Sequence, residues 1–510
     1  MVLADTLKRW QLLQGREAIL CTGTDEHGMK IQQAAARAGI EPKPFCDKGA
    51  EIFKSLAQKA GIANDHFVRT TDPDHADAVQ YAWILLKERG YIYASKHEGW
   101  YAVSDETFYP PSAVHLVQDP STGRKLMASI ETGKEVEWTS ESNYHFRLSA
   151  FKNRLLEYYK TNPDFVVPAS RMDDVVEAVS AGLEDLSVSR PVDRLTWGIR
   201  VPDDDTQTIY VWLDALINYI TKSGYPWTPG QEQAGGWPAD CQVIGKDIVR
   251  FHCIYWPAFL LALDIPPPQK VLTHAHWTLG RQKMAKSTGN VVNPFFALDR
   301  FGVDAMRYYL AYDGGISNDA DYSNEYIIER YKKGLQGGLG NLTSRILRGK
   351  KWNMRQAVER ANAGGLRIDD DMARQHCERI QALPETVKRR FDALDVSGGL
   401  KSIMDVIFET NKYFQSAAPW KLVKSESDLD RATIDTSIYL CTEAIRVCGI
   451  LLQPYIPNKA GRLLDMLGVE QDARSFASAQ FGADAGYGVS RIALGKGIEG
   501  VLFPPLLSDL

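Results

Sequence analysis

The sequence predicts an α/β fold: a parallel-sheet domain that carries an inserted module and is followed by an all-α helical bundle. Three observations support this prediction. Short apolar runs alternate with helical patterns from residue 18 to about 92 and again after residue 205. Residues 93–190 instead contain many Ser, Thr, Pro and Glu residues in short alternating stretches. From about residue 331 onward the apolar spacing is helical, with few strand signals.

The chain opens with an amphipathic helix, followed by a strand–loop–helix unit. Its apolar residues recur with the spacing of one helix face: Val2, Leu3, Leu7 and Trp10. Residues 18–21 are predicted to form a short strand, with a polar loop over 22–28 and a helix over 29–38 after it. A further helix begins at Asp72, a typical N-cap residue followed by proline, and ends at Gly90.

Strand–loop–helix units resume after the inserted module. The predicted strands are residues 208–212, 242–244 and 270–273, and the first two are each followed by an apolar helical pattern. Near-continuous apolar strands that alternate with helices indicate a parallel sheet. Because ligands of such sheets bind beyond the carboxyl ends of the strands, the polar loops at these positions are the candidate sites.

The helical C-terminal part is basic in an otherwise acidic protein. Residues 331–424 hold 18 Lys and Arg against 10 Asp and Glu, whereas the whole chain has a net charge of −5. A basic helical module favours contact with a polyanion, although a merely solvated face explains the charge about equally well. We divide the chain into five segments: 1–92, 93–190, 191–277, 278–330 and 331–510.

Composition excludes several classes of protein. The seven cysteines are odd in number and scattered, and no two form a Cys-x-x-Cys pair, which argues against a disulfide scaffold or a zinc knuckle. The longest apolar run, residues 253–263, is too short to span a membrane. We therefore expect a globular protein of a reducing compartment, without a membrane partner.

Four loops carry residue types suited to chemistry. Lys283 and Lys286 lie three apart in a glycine-flanked loop, where they could neutralise a transferring phosphate. The loop with Asp25 offers either metal ligands or an acidic pocket for an ammonium group. The other two combine aromatic, small and polar residues that line a pocket or simply pack in the core: Trp212, Ala215 and Tyr219, and Asp247, Ile248 and His252.

In this order, the segments resemble the methionyl-tRNA synthetases, a family of class I aminoacyl-tRNA synthetases, over nearly the whole chain. Residues 283–287, Lys-Met-Ala-Lys-Ser, resemble the Lys-Met-Ser-Lys-Ser signature of the class, with alanine in place of the first serine. The resemblance implies a Rossmann-type catalytic domain with a connective insertion and an anticodon-binding bundle. It also implies ATP-dependent activation of L-methionine, with Mg²⁺, and transfer to tRNA(Met).

The resemblance assigns a role to each candidate residue. Asp25 corresponds to the family's partner for the methionine ammonium, and Asp247 to the acidic residue near the adenosine ribose. Lys283 and Lys286 correspond to the signature lysines, of which the second binds the ATP phosphates. The remaining pocket residues correspond to the walls around the methionine side chain, where aromatic rings suit a polarizable thioether: Trp212, Ala215, Tyr219, Ile248 and His252.

The helical module carries a second matching set. Asn341 and Arg345 lie four apart on one predicted helix face, and Trp420 follows Ala-Pro, as in the family. There the three residues read the CAU anticodon by hydrogen bonds and stacking.

Two departures from the family pattern affect the interpretation. The paired cysteines of the insertion are absent, so we expect no structural zinc, as in fungal-type mitochondrial members. This likeness implies a protein of the mitochondrial matrix, with the cytoplasm as the alternative, and we also expect a monomer. The His-Ile-Gly-His signature is also missing from the sequence, and we interpret this as a truncated gene model or initiation at an internal methionine. Two alternative functions stay open: a non-catalytic tRNA-binding derivative, and a class I synthetase for another aliphatic amino acid.

Overall fold

The structure is a computed structural model that describes most of the chain. The described residues are 1–103, 107–119, 123–228, 230–284, 290–349, 351–425, 427–495 and 497–506. They form two compact units, which we call the α/β unit (21–55 and 64–274) and the helical unit (1–20, 56–63 and 275–510).

Helices make up most of the regular structure in the described residues. Their bounds are α1 Val2–Leu13, α2 Met29–Ala38, α3 Pro42–Lys59, α4 Pro73–Glu88, α5 Lys152–Thr161, α6 Ala169–Ala181, α7 Val211–Thr221, α8 Trp256–Ala262, α9 Pro294–Phe301, α10 Val303–Asp313, α11 Asn324–Arg330, α12 Asn341–Leu347, α13 Met354–Asn362, α14 Asp371–Asp392, α15 Val396–Ala417, α16 Asp428–Leu452 and α17 Pro457–Leu467. A π-helical stretch, Tyr331–Gly340, leads directly into α12.

The strands are short except for two in the insertion. Their bounds are β1 Cys21–Thr24, β2 His66–Arg69, β3 Ile92–Ala102, β4 Thr107–Tyr109, β5 Val114–Gln118, β6 Lys125–Ser129, β7 Glu137–Phe146, β8 Val166–Val167, β9 Leu186–Ser187, β10 Ser189–Pro191, β11 Arg200–Val201, β12 Asp204–Ile209, β13 Gln242–Gly245, β14 Val271–His274, β15 Trp277–Leu279, β16 Gln282–Lys283 and β17 Ala320–Asp321.

Parallel pairing positions the site loops of the α/β unit. β1 pairs in parallel with β2, and β14 lies between β13 and β8, also in parallel. The loops that follow β1 and β13 carry Asp25 and Asp247. The insertion is built instead on an antiparallel sheet with the order β4-β3-β7-β9. The predicted α/β class with a separate helical bundle is confirmed.

Two predicted strands are wrong in their position. The strand predicted at 18–21 is β1, Cys21–Thr24, because pairing with β2 begins only at Cys21. Gly23 belongs to this strand: a Cβ there would lie 1.9 Å from the Val68 carbonyl oxygen, so only glycine allows the two backbones to approach. The strand predicted at 208–212 ends at Ile209, and it pairs antiparallel with β10 and β11 rather than in the parallel sheet. Trp212 therefore lies in the first turn of α7.

Each unit has its own hydrophobic core. In the helical unit the core forms around α16, in which every residue from 434 to 452 is buried. Trp10 of α1 is fully buried in the same core and stacks on Phe391 with 4.1 Å between the ring centroids. The core of the α/β unit includes buried residues of α4, α7 and α8. No helix in the described ranges is long and apolar enough to cross a membrane.

Candidate functional site

Hydrogen bonds to Glu26 hold the loop after β1 in place. Glu26 is 3% exposed, and its carboxylate accepts hydrogen bonds from Arg69 Nε at 2.7 Å and Nη2 at 2.9 Å, and from Thr24 Oγ1 at 2.6 Å. Burial alone would raise the pKa of Glu26, but the bonds from Arg69 and the threonine hydroxyls hold it below its ordinary value. Glu26 is thus a structural carboxylate.

The backbone of the same loop is also held by hydrogen bonds to side chains. The Trp197 indole Nε1 donates to the Glu26 carbonyl at 2.6 Å, and the Glu26 amide donates to Thr70 Oγ1 at 2.9 Å. Asp25 is exposed directly before these anchored residues. Its carboxylate is close enough to the Tyr219 phenol to raise the pKa of that group, in addition to the larger effect of burial. Asp25 therefore lies near Tyr219, one of the residues of the predicted pocket.

Helix α7 and the segment after β13 carry the residues of the predicted pocket. Trp212 is half-buried and stacks on Phe251, with the ring centroids 3.7 Å apart and the planes 11° from parallel. Trp212 meets His252 edge-on at 6.3 Å. Ala215, the small residue of the predicted pocket, is 7% exposed on the same helix as Trp212. The structure thus brings together the aromatic residues that the sequence placed in one pocket.

Hydrogen bonds define the protonation state of His252. Its Nδ1 donates to the Ile248 carbonyl at 3.0 Å, so Nε2 is left to accept from the Tyr219 hydroxyl at 2.7 Å. Burial lowers the pKa of His252 to about 4. The wall formed by Tyr219, His252 and Ile248 is therefore uncharged at neutral pH, which suits an apolar side chain.

Asp247 lies in the turn that follows β13. It is exposed at the end of the strand, in the 3₁₀ turn Lys246–Ile248. A Cβ at Gly245 would lie 2.7 Å from an Asp247 carboxylate oxygen. Glycine at this position therefore allows the carboxylate to approach the strand end, where ligands of parallel sheets bind.

The lysine loop is described only at its start. Lys283 is exposed at the end of β16, which pairs antiparallel with β15. The Asn290 side-chain amide donates to the Lys283 carbonyl at 3.2 Å. Lys286 lies outside the described residues, so its predicted role stays a prediction.

The predicted anticodon residues meet at one surface of the helical unit. The Arg345 guanidinium lies 4.6 Å from the Phe414 ring centroid and 5.6 Å from that of Trp420, and it donates to Gln415 Oε1 at 3.1 Å. Phe414 and Trp420 pack against each other at 5.3 Å. Asn341 is exposed one turn before Arg345 on α12. We call Asn341, Arg345, Phe414 and Trp420 the aromatic–arginine platform.

Several functional candidates were missed by sequence reasoning. Phe251 stacks on Trp212, and Phe414 supports both Arg345 and Trp420, although neither phenylalanine belongs to a recognised motif. Their positions beside His252 and at the end of α15 were available signals, but an aromatic residue in a helical pattern is usually core. The described residues contain no group of three or more His, Cys, Asp or Glu residues that could hold a metal ion.

Comparisons with known proteins agree with this arrangement. Residues 1–347 match the family described as class I tRNA synthetases (M), and residues 367–485 match the anticodon binding domain of methionyl tRNA ligase. A Neurospora crassa protein named as a probable mitochondrial methionine–tRNA ligase is 54% identical over 100% of this chain and 82% of its own length. The Schizosaccharomyces pombe protein of the same name is 44% identical over 94% of this chain and 88% of its own.

A human relative and a solved structure extend the comparison. The mitochondrial methionine–tRNA ligase of Homo sapiens is 41% identical over 94% of this chain and 82% of its own length. A crystal structure of Mycobacterium tuberculosis methionyl-tRNA synthetase bound by methionyl-adenylate superimposes with a TM-score of 0.87 and 36% identity, covering 99% of this chain and 95% of that chain. The chain therefore belongs to the methionyl-tRNA synthetases, the methionine–tRNA ligases of class I.

Proposed function

We propose that the chain activates L-methionine with Mg-ATP to methionyl-adenylate and then transfers the methionyl group to tRNA(Met) in the mitochondrial matrix. The observation that carries this proposal is the uncharged aromatic pocket of Trp212, Tyr219 and His252 beside the exposed carboxylate of Asp25. A thioether packs favourably against aromatic edges, and a carboxylate beside the pocket pairs with an ammonium group. Methionine has both groups.

The pocket residues have separate roles in this proposal. Trp212, Ala215, Ile248 and the Tyr219–His252 pair enclose the methionine side chain. Asp25 pairs with the ammonium group and so orients the carboxylate outward. The carboxylate oxygen then attacks the α-phosphorus of ATP, the bond between that phosphorus and the oxygen bridging to the β-phosphate breaks, and pyrophosphate leaves with Mg²⁺. The rate gain comes from positioning and charge neutralisation.

Three further residues serve ATP. Asp247 binds the ribose, while Lys283 and Lys286 neutralise the phosphates as pyrophosphate leaves. The exposure of Asp247 and Lys283 supports roles in binding a ligand from solvent. In the second step a hydroxyl group of the terminal adenosine of tRNA attacks the carbonyl carbon of the adenylate. AMP then leaves, and the proton of the hydroxyl is released.

Recognition of tRNA(Met) is proposed for the aromatic–arginine platform. An exposed amide at Asn341, a guanidinium and a half-buried indole offer hydrogen-bond donors and a stacking surface, the two means by which proteins read unstacked bases. Mitochondrial relatives support the matrix location. We also propose a monomer without structural zinc. The lack of paired cysteines in residues 93–190 supports the second part of this proposal.

Pyrophosphate exchange into ATP tests the proposal. In a chain that also carries the His-Ile-Gly-His signature, we expect exchange that depends on L-methionine. We expect Asp25→Ala to raise the KM for methionine about ten- to hundredfold there, the effect of losing a charged hydrogen bond. The KM for ATP should not change. Asp173→Ala, at an exposed aspartate of α6, is the matched control.

Three outcomes would contradict parts of the proposal. Unchanged exchange in Asp25→Ala would remove Asp25 from the site. Faster exchange with another aliphatic amino acid would favour a class I synthetase for that amino acid. Binding of tRNA(Met) without exchange for any amino acid would favour a non-catalytic tRNA-binding protein.

A further inference from the structure

A fully buried carboxylate lies between two histidines on the helix that carries Trp212 and Ala215. Asp214 on α7 is 0% exposed, and it accepts from His27 Nδ1 at 2.6 Å and from His75 Nε2 at 2.7 Å. His75 is also fully buried, and His27 is 9% exposed. The three residues come from the β1 loop, the start of α4 and the start of α7.

These contacts join the two parts of the proposed methionine site. His27 is two residues after Asp25, and Asp214 lies between Trp212 and Ala215. The His27–Asp214 bond therefore sets the distance between the loop with the ammonium partner and the helix with the side-chain pocket. On the other side, His75 Nδ1 is 3.0 Å from Thr221 Oγ1, two turns further along α7, so α4 contacts α7 at two points.

The hydrogen bonds between Asp214 and the two histidines favour the charged forms of Asp214 and His27 despite their burial. Burial alone would raise the pKa of Asp214, but His27 and His75 hold it below its ordinary value. Burial alone would lower the pKa of His27, and the Asp214 carboxylate outweighs that effect and raises it. Transfer of a carboxylate to the interior costs several kcal/mol, and an apolar residue would pack at least as well. What an apolar residue does not provide is a bond of fixed length and direction to the loop.

We propose that Asp214, through His27 and with His75 holding it on the other side, is a positioning residue that aligns Asp25 with the ammonium group of the substrate. The inference rests on the proposed function, because the position of Asp25 affects binding only if Asp25 pairs with the ammonium group of the substrate. Asp214 and the two histidines touch no substrate. Their effect is expected in the contribution of the ammonium group to binding, and not in the thioether pocket.

Two ligands isolate that contribution. L-Methioninol carries the thioether chain and the ammonium group, and 4-(methylthio)butan-1-ol is the same molecule without the amine. The dissociation constant of the alcohol without the amine, divided by that of methioninol, reports how much the ammonium group adds to binding. Calorimetry on the full chain measures both constants. We expect His27→Leu to weaken the binding of methioninol alone and so to lower this ratio about tenfold or more. The reason is that the charged hydrogen bond between Asp25 and the ammonium group is then misaligned.

Matched variants separate positioning from stability. His27→Asn keeps a donor near the place of Nδ1 and should restore most of the ratio. Val79→Ala, at a fully buried position of α4, lowers stability without touching the network and should leave the ratio unchanged.

An unchanged ratio in His27→Leu, or an equal loss for both ligands, would overturn the inference. If the wild-type chain does not prefer methioninol over the corresponding amino alcohol of leucine, the proposed function itself fails, and the inference fails with it.

Discussion

At the scale of single residues, the surroundings of a side chain decide its charge. His252 and Asp214 are both buried in the α/β unit, but His252 is neutral whereas the charged form of Asp214 is favoured. His252 gives its only donor to a carbonyl and is neutral, because burial lowers its pKa to about 4. Asp214 is equally buried, but two histidines favour its charged form. The sequence shows the residue types in the pocket and not these pairings, because His27, His75 and Asp214 are separated by up to 187 residues.

His376 of the helical unit gives a prediction about pH. It is 3% exposed, stacks on Tyr413 at 4.7 Å, and has no hydrogen-bond partner for either ring nitrogen in the described part of the chain. Burial, with Arg379 nearby, lowers its pKa to about 4, whereas an unfolded histidine titrates near 6.5. Between these values the unfolded chain binds a proton that the folded chain does not. His376 therefore lowers the free energy of unfolding as the pH falls from about 6.5 to 4.

We expect His376→Phe to raise the free energy of unfolding by about 1–3 kcal/mol at pH 7, because two unpaired polar atoms are removed and the stacking ring is kept. The gain should be larger at pH 5. Urea denaturation at both pH values measures it. A difference between variant and wild type that does not change with pH would contradict the assigned protonation state.

At the scale of elements, local patterns predicted most helices, whereas strand positions depended on distant partners. Helix α2 lies where the spacing placed it, at Met29–Ala38. β1 begins three residues later than predicted, because its start is set by β2, which follows more than forty residues later. Trp212 was predicted in a strand and lies in helix α7, for a related reason. β12 ends where its antiparallel pairing ends, which nothing in residues 208–212 reveals.

The aromatic–arginine platform gives the prediction at this scale. Trp420 contacts Phe414 and Arg345 and is partly exposed. We expect Trp420→Ala to lose about 1–3 kcal/mol of affinity for tRNA with a CAU anticodon, the usual contribution of one base stack. Discrimination against tRNA with a changed triplet should fall, while methionine binding should be unaffected.

Trp352 provides the matched control for this substitution. It packs edge-on against Phe414 at 5.8 Å, and its indole donates to the Ile346 carbonyl. Trp352→Ala should lower the melting temperature and leave the discrimination between the two tRNAs intact. Equal loss of affinity for both tRNAs in Trp420→Ala, together with a lowered melting temperature, would make Trp420 a packing residue only.

At the scale of the whole molecule, charge and periodicity predicted an α/β part followed by a basic helical part. The contacts that join residues 1–20 and 56–63 to the helical unit could not be predicted in this way. Trp10 packs on Phe391, and Asp5 binds Arg307, across 381 and 302 residues of chain. Local spacing shows that α1 has a buried face, but it does not identify the partner of that face.

The last prediction concerns Arg307, whose side chain bonds both to α1 and to the segment between α16 and α17. It is 1% exposed, and it donates to Asp5 Oδ2 at 2.6 Å and to the carbonyls of Pro454 and Tyr455 at 3.0 Å each. Arg307→Met removes these bonds, so the fully buried Asp5 loses one of its cationic partners and keeps Arg9. Removal of one partner of a buried ion pair costs about 3–5 kcal/mol, and we expect a loss of that size in the free energy of unfolding.

Denaturant unfolding followed by circular dichroism measures the effect of Arg307→Met. The midpoint should fall with an unchanged slope, because the surface exposed on unfolding stays the same. Lys388→Met, which breaks the exposed pair with Asp392 on α14, should leave the midpoint nearly unchanged. A loss no larger than that of the Lys388 variant would show that apolar packing, and not Arg307, holds α1 to the helical unit. A full loss would mean that one buried charge makes the folding of the N-terminal helix depend on residues three hundred positions away.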